Sequence, residues 1–199
     1  MALLTVMAGC RYRAWLGGKT AASCLIAGFL AGAPPRVAAE AQISAESQIK
    51  AVFLFNFAQF LEWPPRAFPE PRAPIVIGVL GDDPFGPFLD GLVQGEKIGE
   101  RPILVRRYRQ AADAGECHIL FISRSEAGRI SGILSQLKGR SVLTVADMEG
   151  FAVRGGMVRF ATVNGKIQLR VNVAAARASE LTISARLLAH AFIVPGEKD

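Results

Sequence analysis

The sequence predicts a single three-layer α/β sandwich with a mixed sheet, a C-terminal β-hairpin and terminal helices. Three observations carry this. Residues 74–80, PIVIGVL, form a continuous apolar run of the kind required by a strand buried on both faces. From there to residue 147 the order strand, helix, strand, strand, helix, strand places helices on both faces of a sheet. Further on, Asn164-Gly165 lies between two strand-like segments. That pair favours a type I′ hairpin, whose two central residues both need positive φ.

Residues 44–62 read as the first helix, with Ser44 as its cap and Glu46 in its first turn. Its apolar residues cover most of the surface, and Asn56 and Gln59 mark a narrow polar edge. Such a helix is buried on several sides or offers a face to a partner. Trp63-Pro64-Pro65 stops it, because proline restricts the preceding residue and cannot continue the ladder. The run 74–80 is the first long strand, and Gly81 to Gly86 turns the chain into a short helix over 85–92. Strands follow at 102–108 and 117–122. Ser123 and Glu126 have capping-box spacing for a helix reaching Leu137, with Gly139 just beyond its end. A strand covers 141–145, and the hairpin joins 157–163 to 166–172. Asn172 caps a short helix over 173–179, and a last helix covers 182–192.

The first 39 residues read separately, as a secretory signal peptide. Arg11, Arg13 and Lys19 supply a basic start, residues 20–35 carry no charge, and Val37-Ala38-Ala39 offers a small-residue cleavage site. The uncharged stretch contains Pro34-Pro35 and falls short of the roughly 20 residues that a membrane-spanning helix needs. Residues 40–199 are then the working domain. The formal net charge of +6 is largely a property of the leader, which holds four basic residues and no acidic one. Beyond residue 39 the basic excess is +2, which removes the case for a nucleic-acid binder. Of three cysteines only Cys117 lies in the domain, so an exported form has no internal disulfide.

Catalytic signals are weak. The glycines between Gly78 and Gly86 do not fit a dinucleotide or P-loop pattern. His118, Ser123 and Asp147 make a triad only on paper, with no nucleophile elbow, and no spaced Cys/His set suits zinc. Asp82, Asp83 and Asp147 follow strands, where carboxylates can hold a divalent ion. They support the alternative reading, a periplasmic small-molecule-binding protein or metal-dependent hydrolase. The preferred reading is a protein without catalytic residues, cofactor or metal. Arg101, Arg106, Arg107 and Arg109 form a basic cluster that reads as a solvated face or a docking surface.

The domain resembles the YfiR family of bacterial periplasmic proteins. The resemblance rests on Ile49 to Ala58 with Trp63-Pro64, Val79 to Gly86, Cys117 to Ser123, Leu143 to Asp147, and Gly150-Phe151-Ala152 with Gly155-Gly156-Met157-Val158 and Phe160. It continues through Val171-Asn172, Ala175-Ala176, Leu181, Ile183-Ser184 and Leu187-Leu188. It implies a compact α/β regulator, able to dimerise, that works by binding in the periplasm. The best understood member binds the periplasmic domain of an inner-membrane diguanylate cyclase and represses it, lowering cyclic di-GMP and opposing biofilm. That member carries a cysteine where this chain has Gly78, paired with the counterpart of Cys117, and a second pair near 145–155 that is absent here. Redox control through internal disulfides is not expected of this chain. An inhibitory binder should expose an apolar patch with a polar rim. Phe57, Phe60, Trp63 and Phe68, with Arg154 and Arg159 for charge matching, are the expected contact residues.

Overall fold

A computed structural model describes residues 43–195. The leader expected over 1–39, with Cys10 and Cys24, lies outside them. The first helix, α1 (Ala45–Phe60), starts as expected, with Ser44 Oγ accepting from the Ser47 N–H at 3.1 Å. It ends two residues earlier than expected. Leu61 turns extended, and β1 (Leu61–Glu62) pairs antiparallel with a later segment, Thr182–Ile183. Beyond a Pro-rich turn, β2 (Ile75–Leu80) is buried along its whole length. Then come α2 (Gly86–Val93), β3 (Lys97–Ile98), β4 (Arg101–Tyr108) and β5 (Ile119–Ile122).

The capping box at Ser123 does not form. Residues Arg124–Arg129 wind as a 3-10 helix, so the Glu126 N–H closes on the Ser123 carbonyl at 3.0 Å and the Ser123 hydroxyl caps nothing. The α-helix α3 (Ile130–Leu137) begins only after this turn, and Gly139 follows it at φ +76°. The strand β6 (Leu143–Ala146) leads to the hairpin of β7 (Val158–Val163) and β8 (Lys166–Val171). Asn164 and Gly165 take φ 50° and 71°, the left-handed pair that the type I′ turn demands. Asn172 caps α4 (Val173–Ala178) by accepting from the Ala175 N–H at 2.9 Å.

The expected last helix, 182–192, is corrected to three short elements. These are β9 (Thr182–Ile183), one turn of α5 (Ala185–Leu188) and β10 (Ala191–Ile193). Both ends of the segment find backbone partners in strands, β9 with β1 and β10 with β8, and those ladders override the short helical pattern.

Among the described residues eight strands form one mixed sheet in the order β10-β8-β7-β6-β5-β2-β4-β3. Its centre, β4 to β7, is parallel, and its two flanks carry the antiparallel pairs β7–β8 and β3–β4. One face packs on α1, α2, α4 and α5 through Leu54, Phe57, Leu89, Phe160, Ala176 and Leu187. The other packs on α3 through Leu120, Ile122, Ala146, Ile130, Ile133 and Leu137. The arrangement is the three-layer α/β architecture that the sequence predicts. Gly78 is required in β2 by close approach. A Cβ there would lie 2.6 Å from Cys117 Sγ, 2.7 Å from the Tyr108 ring and 2.9 Å from Leu120. Positions 78 and 117, which the resemblance pairs as cysteines in a relative, are thus neighbours in this fold.

Candidate functional site

In an open α/β sheet, ligands favour the crevice at the C-terminal ends of the strands where strand order reverses. Here that point is the end of β2, between β4 and β5, where side chains crowd the β2 turn and a cavity of about 310 Å³ lined by Gln110, Ala111, Glu126 and Arg129 opens beside it. A Cβ on Gly81 would collide with Ser125 Oγ and lie 2.9 Å from Glu126. Asp83 accepts from the Phe85 N–H at 2.7 Å and from Arg107 Nε at 2.9 Å. Arg107 is also held by Asp90, so three side chains lock this turn to α2. Asp147 is engaged elsewhere, by Lys50 at 2.6 Å and Arg124 at 3.0 Å. Asp82 is exposed. Among the described residues no group of three His, Cys, Asp or Glu side chains is arranged to hold a metal ion.

The expected contact residues divide into four groups. Phe57 is fully buried and stacks on Phe160, with ring centroids 6.0 Å apart. It offers nothing to a partner. Trp63 and Phe68 are half-buried and surround His118. The Phe68 ring stacks on the imidazole at 4.5 Å, Trp63 meets it edge-on at 6.0 Å, and Arg101 lies 3.6 Å above Phe68. Phe60, at the end of α1, is half-buried, and Ile49 and Val52 on the same helix are 49% and 39% exposed. Arg159 is on β7, and Arg154 is in the turn that precedes it. They share with Arg124, Asp147, Met148 and Glu149 an open cavity of about 430 Å³.

His118 ties the Pro-rich turn to the sheet, a role its sequence position gave no sign of. The Val76 N–H donates to its Nδ1 at 3.1 Å, which leaves the proton on Nε2, facing the Ala67 carbonyl at 3.1 Å. Burial, reinforced by Arg101, pushes the imidazole below its ordinary value of 6.5. The neutral ring is therefore the folded form, and the unfolded chain takes up the proton first as pH falls. Stability is full above pH 6.5 and declines as pH drops below it. Urea midpoints between pH 8 and pH 5 should fall in the parent protein and fall less in His118→Asn. That variant keeps an acceptor toward Val76 and does not titrate; equal slopes would exclude His118 as the source.

Cys117 is 4% exposed, and its thiol donates to the Ile119 carbonyl at 3.1 Å. Burial pushes the thiol up to about 12, so the thiolate that redox exchange needs is absent at neutral pH.

The sheet is covered by helices on both faces, and half-buried aromatics and arginines lie at its margins, surfaces that a binding protein can present to a partner. The chain belongs to the YfiR/HmsC-like family (DUF4154), whose model matches residues 47–191. Members are non-catalytic periplasmic regulators that act on membrane sensor proteins. No curated protein matches the chain closely enough to compare with it. Among the described residues no helix is long and apolar enough to cross a membrane.

Proposed function

We propose that this protein represses the periplasmic domain of an inner-membrane diguanylate cyclase by direct contact, and that it does so as a homodimer. The observation that carries the reading is the family match across 47–191, nearly all of the described fold. In this reading residues 1–39 direct export and are removed. The contact surface draws on the margin of α1 at Phe60, on Trp63 and Phe68, and on Arg154 and Arg159, while Phe57 supports it from within. Phe60, Trp63 and Phe68 are half-buried, so each retains both a fixed orientation and a surface for a partner. The test is deletion of the gene in its native bacterium. Cyclic di-GMP should rise and return to its original level on complementation. The purified protein should also retain the cyclase's isolated periplasmic domain in a pull-down. An unchanged cyclic di-GMP level together with no retention would exclude the reading.

A further inference from the structure

The type I′ hairpin places Arg159 of β7 directly opposite Arg170 of β8. In the same cross-strand row Ala146 of β6 lies beside Arg159, and Phe192 of β10 beside Arg170. Cross-strand partners project from the same face of a sheet. Ala146 packs under α3, so both arginines occupy the α3 face. Among the described residues the buried cluster under α3 takes no residue from β7, β8 or β10, so the helical layer they form stops at β6. Beyond it the sheet displays two half-buried arginines; Arg159 also lines the cavity that Arg124 and Arg154 share with Asp147 and Glu149, and the 54%-exposed Phe192 lies at the edge. Arg170 lies 5.8 Å from the centroid of the Phe192 ring.

This arrangement is unfavourable in isolation. Like charges directly across a ladder repel. Among the described residues the Nε atoms of both arginines are buried without a hydrogen-bond partner, which leaves desolvated donors uncompensated by any acceptor there. Neither residue forms an ion pair among the described residues, whereas Arg66, Arg72, Arg106, Arg107, Arg124 and Arg129 each hold a carboxylate. A carboxylate between the two guanidinium groups would neutralise the repulsion and accept from both.

We propose that this face is a docking site for an acidic segment of the regulated membrane protein. A carboxylate lies between Arg159 and Arg170, and a neighbouring apolar side chain rests on Phe192. Charge complementarity selects the occupant, and the assignment to the membrane partner rests on the function proposed above.

Two measurements test it. The purified full chain is titrated against a fluorescein-labelled oligo-glutamate peptide at low salt. Arg159→Gln/Arg170→Gln should weaken binding by at least about tenfold, the loss of charge-assisted hydrogen bonds. Arg66→Gln/Arg72→Gln, which removes equal charge at exposed positions, should stay within about twofold of the parent. The first double variant should melt no lower than the parent, since it removes a repulsion. No peptide binding, equal losses in both doubles, a sharply lower melting temperature, or citrate binding as tightly as the peptide would each overturn the docking site. In the native bacterium the chromosomal Arg159→Gln/Arg170→Gln variant, at unchanged abundance, should raise cyclic di-GMP as far as deletion does, and full repression by it would overturn the proposal. If deletion itself leaves cyclic di-GMP unchanged, the cyclase reading fails, and the peptide titration still decides whether the acidic site exists.

Discussion

Phe57→Ala should destabilise the protein by about 3–5 kcal/mol, the cost of emptying a large aromatic site in a packed core. Phe57 is fully buried in α1 and stacks on Phe160 of β7, and Phe53 closes the group at 6.4 Å from Phe57 and 5.9 Å from Phe160. Truncation removes one wall of that aromatic group. The cavity lies between a helix and a sheet that other contacts hold apart, so it cannot collapse. At this chain length the loss corresponds to a melting temperature lower by roughly 6–20 °C. Calorimetry checks it. Below the transition, the folded variant should still bind its partner, because no atom of Phe57 reaches the surface. A variant of normal stability that had lost binding would make Phe57 a contact residue after all. Trp63→Ala provides the contrast, since its half-buried ring leaves part of its area for a partner and part for His118.

How much of this could be read from residues alone follows from what each signal encodes. The parallel strands were legible because strands buried on both faces write their burial as apolar runs, as in Ile75–Leu80 and Ile119–Ile122. The hairpin was legible because a two-residue turn names itself and fixes its register. Counting outward from Asn164-Gly165 pairs Arg159 with Arg170, so that juxtaposition is available in the sequence. The sidedness of α1 was not available. With phenylalanines at 53, 55, 57 and 60 its apolar residues surround the helix, and only Phe160, far along the chain, distinguishes Phe57 from Phe60. The segment 182–192 misled for a related reason. A short helical pattern says nothing of the strand partners at Leu61–Glu62 and on β8 that claim its ends. His118 shows the same limit, since its partners Ala67 and Val76 lie some distance back along the chain.

Lys50→Met should cost about 3 kcal/mol, the lower end of the range for breaking a buried ion pair. Lys50 is 5% exposed, and its Nζ sits 2.6 Å from Asp147 Oδ2 and 2.6 Å from Glu46 Oε1. It joins α1 to the end of β6 across 97 residues of chain, a connection no local pattern could announce. Methionine restores much of the packing of the lysine stem but leaves the Asp147 carboxylate, 12% exposed, with Arg124 alone. The desolvation of that carboxylate is then poorly compensated, which is the source of the loss. Lys50→Met/Asp147→Asn should therefore recover part of the stability, because the orphaned charge is gone; a double variant as unstable as the sum of the two single ones would contradict the ion-pair account. The pH dependence carries the same signature. The hydrogen bond from Lys50 holds the Glu46 carboxyl below its ordinary value of 4.5. A carboxyl lowered in the folded state contributes stability above its unfolded value and loses it as pH falls through the folded one. The gap between parent and Lys50→Met, measured by urea unfolding, should be full at pH 7 and narrow below pH 4.5 as the parent loses the same contribution. Since the link positions α1 over the sheet, its loss should also loosen the margin at Phe60 and Trp63, and partner binding by the folded variant should weaken with it.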